Sequence, residues 1–234
     1  MPRRPCRAPR GPHPSPHTVL LAPPHSPAPA TAQIAPLDAL ARLRAATRAV
    51  HEQLDRQLPI AQPGAGLEAY RIHASALLPW LTALAPELQG LAARVPGLVL
   101  EPQLQLQRLH ADLHDLGLAP HDLAAAAAVA AVQQLLQAHA GAHQDAVRWG
   151  LAYVVEGSQL GGQVLHRQLA PRAGTHPLRY LQGSGAGTGA RWRAFVALLQ
   201  QHVQTPADVA AACAGALAAF AALQACFDAQ GSPA

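Results

Sequence analysis

Apolar residues recur along this chain at every third or fourth position, in segments separated by proline, glycine and short polar stretches. That period belongs to amphipathic helices. Leu37, Leu40, Leu43, Thr47, Val50, Leu54 and Leu58 predict a first helix over 37–58, closed by Pro59. A second is expected over 67–84, kinked or broken near Pro79, and a short third over 86–95. A fourth covers 101–116, with Pro102 in its first turn and Gly117 at its end. An alanine-rich helix over 121–138 precedes the Gly141 region, and the next helix, over 149–170, stops at Pro171. One further helix spans 190–203. The last has Thr205 as N-cap, Pro206 at its first position and Asp208 three residues after the cap, and it runs to Gln230 before Gly231. The pattern gives about eight helices in one all-α domain over 35–230, joined by short loops.

Composition agrees with a helical reading. Ala, Leu, Gln and Arg dominate, while Ile and aromatic residues are too few for an extensive sheet. Residues 1–34 are different: rich in Pro, Arg, His and Ala, without apolar periodicity, they read as a disordered tail. Their apolar patch at 19–22 is too short for a signal-peptide core, and His13, His17 and His25 offer at most a loose contact to metal, which such tails rarely use. All seventeen basic residues are arginine, and four of them fall in the first ten positions. The net charge of +4 is therefore a poor argument for nucleic-acid binding. The alanine-rich run at 123–132 is too weakly apolar to suggest a membrane span. Cys6, Cys213 and Cys226 are an odd number without ligand spacing, which points to reduced thiols and a cytoplasmic location.

The helix over 149–170 carries an anomaly. Gly157, Gly161 and Gly162 lie within six residues, and each costs a helix interior about 0.8–1 kcal/mol relative to alanine. Gly157 and Gly161 share a face, with Ser158 and Gly162 beside it. Such a strip of bare backbone either lets a flat ligand approach closely or lets another helix pack tightly. The first helix carries His51 on a partly apolar stripe with Arg44, Thr47, Leu54 and Asp55. A histidine there is either a core residue or a metal ligand, and neutral imidazole suits haem iron.

The segments Leu43-RAATRAVHEQL-Asp55 and Tyr153-VVEGSQLGGQV-Leu165 resemble the proximal and distal helices of the haem oxygenase family, particularly its bacterial members. The stretch over 219–227 is similar to that family's aromatic-punctuated final helix, and the resemblance extends over 37–228. It implies a single-domain, all-α, multi-helix bundle with haem sandwiched between proximal and distal helices. His51 would ligate the iron, Asp55 would orient it or bound the pocket, and Thr47 would pack near the haem. Arg44 would reach one propionate, with Arg191 and Arg193 as candidates for the second. Gly157, Gly161 and Gly162 would lie across the distal face, and Phe220 would pack at the haem edge. Tyr153 either contacts haem or caps the core.

The implied reaction is oxygen- and electron-dependent opening of haem to biliverdin, carbon monoxide and ferrous iron. Gly157, Ser158 and Gly161 would shape the distal side. Haem would be both substrate and cofactor, and dioxygen the co-substrate. Electrons would come from a ferredoxin, a flavodoxin-type protein or a reductase, and a bilin-binding photoreceptor is a candidate recipient of product. One departure stands out. Mammalian-type members carry an aspartate near the distal glycines, whereas this segment has none, and Ser158 follows its first glycine. A hydroxyl can hold water but carries no charge at neutral pH. A haem-carrying protein on the same fold, and a helical scaffold without cofactor, are the alternatives.

Other motifs read more plainly. His110, Asp112, His114 and Asp115 form HADLHD, which lacks the HExxH glutamate and reads as a solvated helix face. His139 and His143 flank Gly141 in a loop. Glu156 points about 100° away from Gly157 and reads as structural or surface. Trp80, Trp149 and Trp192 read as core anchors. The run from Gly183 to Gly189 follows no strand and lacks the Gly-Lys-Ser/Thr ending of a phosphate loop, so it reads as a flexible connector.

Overall fold

The computed structural model describes residues 38–118, 125–139, 141 and 143–231. The expected tail, Cys6, and the start of the alanine-rich helix lie outside these residues. Among them are eight α-helices: α1 (Ala39–Gln57), α2 (Leu67–Arg94), α3 (Pro102–Asp115), α4 (Ala125–Ala138), α5 (Gln144–Leu169), α6 (Arg179–Gln182), α7 (Thr188–His202) and α8 (Pro206–Gly231). No strand occurs among the described residues. The number agrees with the periodicity, although the helices are not all the expected ones.

Local chemistry sets most helix ends. The Asp38 side chain accepts from Ala41 N at 3.0 Å and caps α1. Thr205 and Asp208 form a reciprocal box at the start of α8, with Asp208 N donating to Thr205 Oγ1 at 3.1 Å and Thr205 N donating to Asp208 Oδ2 at 3.3 Å. Beyond α3, Gly117 takes φ 73°, and Leu118 N bonds back to Leu113 O at 3.0 Å. This is the left-handed exit that glycine makes cheap.

Three expectations are corrected. The segments 67–84 and 86–95 form a single helix, α2, which passes through both Pro79 and Pro86. An interior proline costs about 3 kcal/mol and one hydrogen bond. Here Ala74 through Leu81 are all buried, and α2 packs on α3, α4, α5 and α8, so tertiary burial outweighs the local penalty. The glycine-rich connector is held in place rather than loose: it includes one 3₁₀ turn and receives hydrogen bonds from Gln163 at Gly185 O and, at 2.9 Å, Thr188 Oγ1. HADLHD is only partly solvated. His110, His114 and Asp115 are exposed, but Asp112 is 0% exposed because donors from α2 and α6 converge on it.

The core is organised around α8, which packs on α1, α2, α4 and α5. By length and mean hydropathy (1.9) α8 could cross a membrane, but more than half of that apolar stretch is buried, and α8 packs on these neighbours. The α5–α8 contact is the closest. A Cβ on Gly150 would fall 1.9 Å from Ala212 O, and one on Gly215 would fall 2.2 Å from Val147 O. Each helix thus supplies one glycine to let the two backbones touch. Trp80 Nε1 donates to Ala219 O at 2.8 Å, tying α2 to α8, and Trp149 is buried against Phe195.

Candidate functional site

A cavity of about 300 Å³ opens between α1 and α5, at the small end of the range for ligand pockets. From α1 come Thr47, His51, Leu54, Asp55 and Leu58, successive positions of one helical face. From α5 come Tyr153, Gly157, Ser158, Gly161, Gly162 and Leu165. His73, Leu77 and Trp80 of α2 and Phe220 and Leu223 of α8 also line it, as do Tyr180, Leu181 and Trp192 from α6 and α7. The lining is chiefly apolar, with a few polar groups at separate points.

His51 is open to solvent at the edge of the slot, with its side chain 63% exposed. Its Nδ1 lies 3.1 Å from Asp55 Oδ2, one turn on. A carboxylate at Nδ1 favours the tautomer with its proton there and leaves the Nε2 lone pair for a metal. Phe220 sets its ring edge-on to the imidazole at 6.0 Å between centroids. Thr47, by contrast, spends its hydroxyl on its own helix, donating to Leu43 O at 2.8 Å.

The glycines of α5 fall into two groups. Gly150, outside the slot, is the packing notch against α8. Within the slot, a Cβ on Gly161 would meet nothing within 4 Å. One on Gly157 would meet only the Trp192 ring at 3.8 Å, and one on Gly162 would meet Leu181 O at 3.5 Å, an ordinary contact. Tight helix packing therefore does not account for these glycines. They leave open space in the cavity that side chains would fill, which is what a flat macrocycle needs from one wall. An imidazole with a free Nε2 and a wall of bare backbone fit haem.

Not every candidate is in the slot. Arg44 and Arg193 are exposed and are not part of its lining. Arg191 is engaged elsewhere: its Nε and Nη2 each bond Glu156 at 2.8 Å, and its Nη1 reaches Glu101. Glu156, 3% exposed, is thus the buried half of an ion pair joining α5 to α7. Burial, opposed by the guanidinium, leaves its carboxyl above the ordinary range. Tyr153 lines the slot and packs on Trp192 at 5.8 Å. His139 Nδ1 sits 3.0 Å from Leu135 O and His143 Nδ1 sits 2.9 Å from Asp208 Oδ1, each with its own partner.

Two slot residues escaped the sequence reading. His73 shares a face with Leu77 and Trp80, a spacing that was visible, yet it reads as one more polar residue in an apolar stripe. Its Nδ1 is buried without a partner, and burial pushes its pKa down to about 4. Tyr180 comes from the four-residue α6, which no periodicity announces. Its hydroxyl accepts from Gln159 Nε2 at 3.2 Å, and burial, opposed by the neighbouring Ser158 and Gln159 side chains, pushes it up to about 12.

Comparison with known proteins identifies the fold. The family model described as Heme oxygenase matches residues 37–229. A protein of Xanthomonas campestris pv. campestris (strain 8004) named Heme oxygenase is 44% identical over 94 residues. That alignment spans 39% of this chain and 56% of the relative's own length. The crystal structure of the NO- and CO-bound heme oxygenase from Neisseria meningitidis superposes with a TM-score of 0.61 at 27% identity. The superposition covers 82% of this chain and 93% of that one.

Proposed function

Since the chain belongs to the haem oxygenase family, we propose that it binds haem in the α1–α5 slot and opens it to biliverdin, carbon monoxide and ferrous iron. Dioxygen is the co-substrate, and an external ferredoxin, flavodoxin-type protein or reductase supplies electrons. The observation that carries this reading is the pairing, in one slot, of the Asp55-held His51 imidazole with the open backbone at Gly161.

Bound haem supplies the redox-active iron and the oxidisable ring; the protein supplies ligation, orientation and exclusion of water. His51 Nε2 is the iron ligand, kept in the right tautomer by Asp55. Thr47, Leu54 and Phe220 pack on the substrate from the His51 side. Gly157, Gly161 and Gly162 admit close approach from the other side, and Tyr153 with Trp192 forms an aromatic margin. Ser158 Oγ donates to Val155 O at 2.7 Å and keeps its lone pairs for water, so it holds a proton source without being one. The long cationic side chains of Arg44 and Arg193 are assigned to the two substrate carboxylates, Arg191 being committed to Glu156. Work in the cytoplasm, and delivery of biliverdin to a bilin-binding photoreceptor, suit the same reading.

The test is to mix the purified protein with hemin, then add reductant and oxygen. The expected result is a sharp Soret band that decays as biliverdin absorbance grows. His51→Ala should broaden the band and abolish normal turnover. A stable Soret band that persists with every donor would favour the carrier; no Soret band would end the haem reading.

A further inference from the structure

Asp112 of HADLHD and the short helix α6 have no part in the ligation described above, yet they meet directly behind Tyr180, which lines the slot. Asp112 is wholly buried and accepts four hydrogen bonds. Oδ1 takes Arg179 N and Arg179 Nη1, both at 3.1 Å, and Oδ2 takes Tyr180 N at 2.9 Å and the Tyr70 hydroxyl at 2.5 Å. Both backbone donors belong to the start of α6. The residue before them, Leu178, has φ 52° and ψ 46°, the left-handed region that a leucine enters only when its surroundings hold it there. A strained turn clamped by a buried carboxylate determines where the next side chain goes, and that side chain is Tyr180.

The Tyr180 ring lines the slot beside the glycines of α5. Its oxygen already receives the Gln159 Nε2 proton at 3.2 Å. A hydroxyl oxygen that accepts on one side has its own hydrogen left to donate, here either to the neighbouring Ser158 oxygen or, once a ligand is present, into the slot. Ser158 differs: its hydrogen goes to Val155 O at 2.7 Å. Tyr153, the other phenol of the slot, is partly exposed and forms no hydrogen bond with described residues, so nothing orients its hydroxyl. The segment also lacks an aspartate that could hold a donating water.

We propose that Tyr180 is the hydrogen-bond donor on the α5 side of the slot, aimed at oxygen or anionic ligands bound to the substrate iron, with Asp112 as the residue that positions it. This rests on the haem reading above. It gives the glycine-bearing wall the polar group that Ser158 is not free to be. The phenol stays protonated throughout the working pH range, so it donates without first having to be charged.

Fluoride binding to the ferric haem complex is the probe, because a small anion on the iron gains directly from a nearby donor. A hydrogen bond to a charged partner is worth roughly tenfold in affinity or somewhat more. Tyr180→Phe keeps the ring, so the far-UV spectrum and the Soret band should persist while fluoride weakens about tenfold. Tyr153→Phe should change it less than about threefold. Asp112→Asn should weaken fluoride on its own but add nothing in the Tyr180→Phe background. Unchanged fluoride affinity in Tyr180→Phe, or an equal loss in Tyr153→Phe, overturns the assignment of the donor. Additive losses in the double variant remove Asp112 from its role. If hemin gives no Soret band with any variant, the haem reading fails and this proposal falls with it. A normal band with flat fluoride titrations sinks the tyrosine alone.

Discussion

Alanine at Gly161 and alanine at Gly150 should have opposite effects, although both glycines lie inside α5. At Gly161 the added methyl meets nothing within 4 Å. The helix then gains about 0.8–1 kcal/mol of propensity with no steric charge against it. For a domain of this size that is a rise in melting temperature of about 2–4 °C. The same methyl also projects into the space that a flat ligand would use, so hemin affinity should fall at least tenfold. At Gly150 the methyl would lie 1.9 Å from Ala212 O and 2.7 Å from Ala216 N, both backbone atoms of α8. The two helices must then separate by about an ångström along a fully packed contact. Overpacking of this kind costs about 1–3 kcal/mol or more, which exceeds the propensity gain. Far-UV thermal melts of the ligand-free variants, followed by hemin titration at the Soret maximum, separate the two effects. The reasoning is refuted if Gly161→Ala melts below the unaltered protein, or melts higher yet takes hemin with full affinity.

Two further outcomes concern buried charge. Arg191→Met strands the Glu156 carboxylate, and breaking a buried pair this way costs about 3–5 kcal/mol at pH 7. Because burial already holds the Glu156 carboxyl above its ordinary pKa, the native state keeps that proton more readily than the unfolded chain. The loss should therefore shrink as pH falls towards 5; urea midpoints that drop equally at both pH values would contradict this. His73, pushed down to about 4 from 6.5 by burial, is neutral in the native protein. Unfolded chains bind its proton first, so its contribution is intact above pH 6.5 and is lost as pH falls towards 4. His73→Phe should lose less stability than the parent between pH 7 and pH 5, and identical losses would refute the burial argument.

Helices announced themselves where a single stripe met water on its far side. α3 and α8 have ends readable as Gly117 and as Thr205 with Asp208, whereas the Asp38 cap of α1 went unmarked because the periodicity begins at Leu37. α2 was harder because it is buried around most of its circumference, and its prolines then look like boundaries. Local propensity argues for a break there; the packing of Ala74 through Leu81 decides against it. The two walls of the slot were visible as His51 on its stripe and as glycines in an alanine-rich chain. Which glycines serve packing was not visible, since Gly150 and Gly161 differ only in what α8 places opposite them. Tyr180 and Asp112 were out of reach for a different reason. Their meeting depends on α3 and α6, sixty-eight residues apart at the Asp112–Tyr180 contact, and no periodic signal spans such a gap.

The solvent-facing imidazole of α1 has one last implication. A side chain 63% exposed can be approached from outside without any helix stepping aside. On the reading proposed here, a rigid disc enters edge-first past His51, and a limp open-chain product can peel away along the same route. Turnover would then be timed by how firmly the substrate's carboxylates are gripped at the mouth, and the helical frame could stay still throughout.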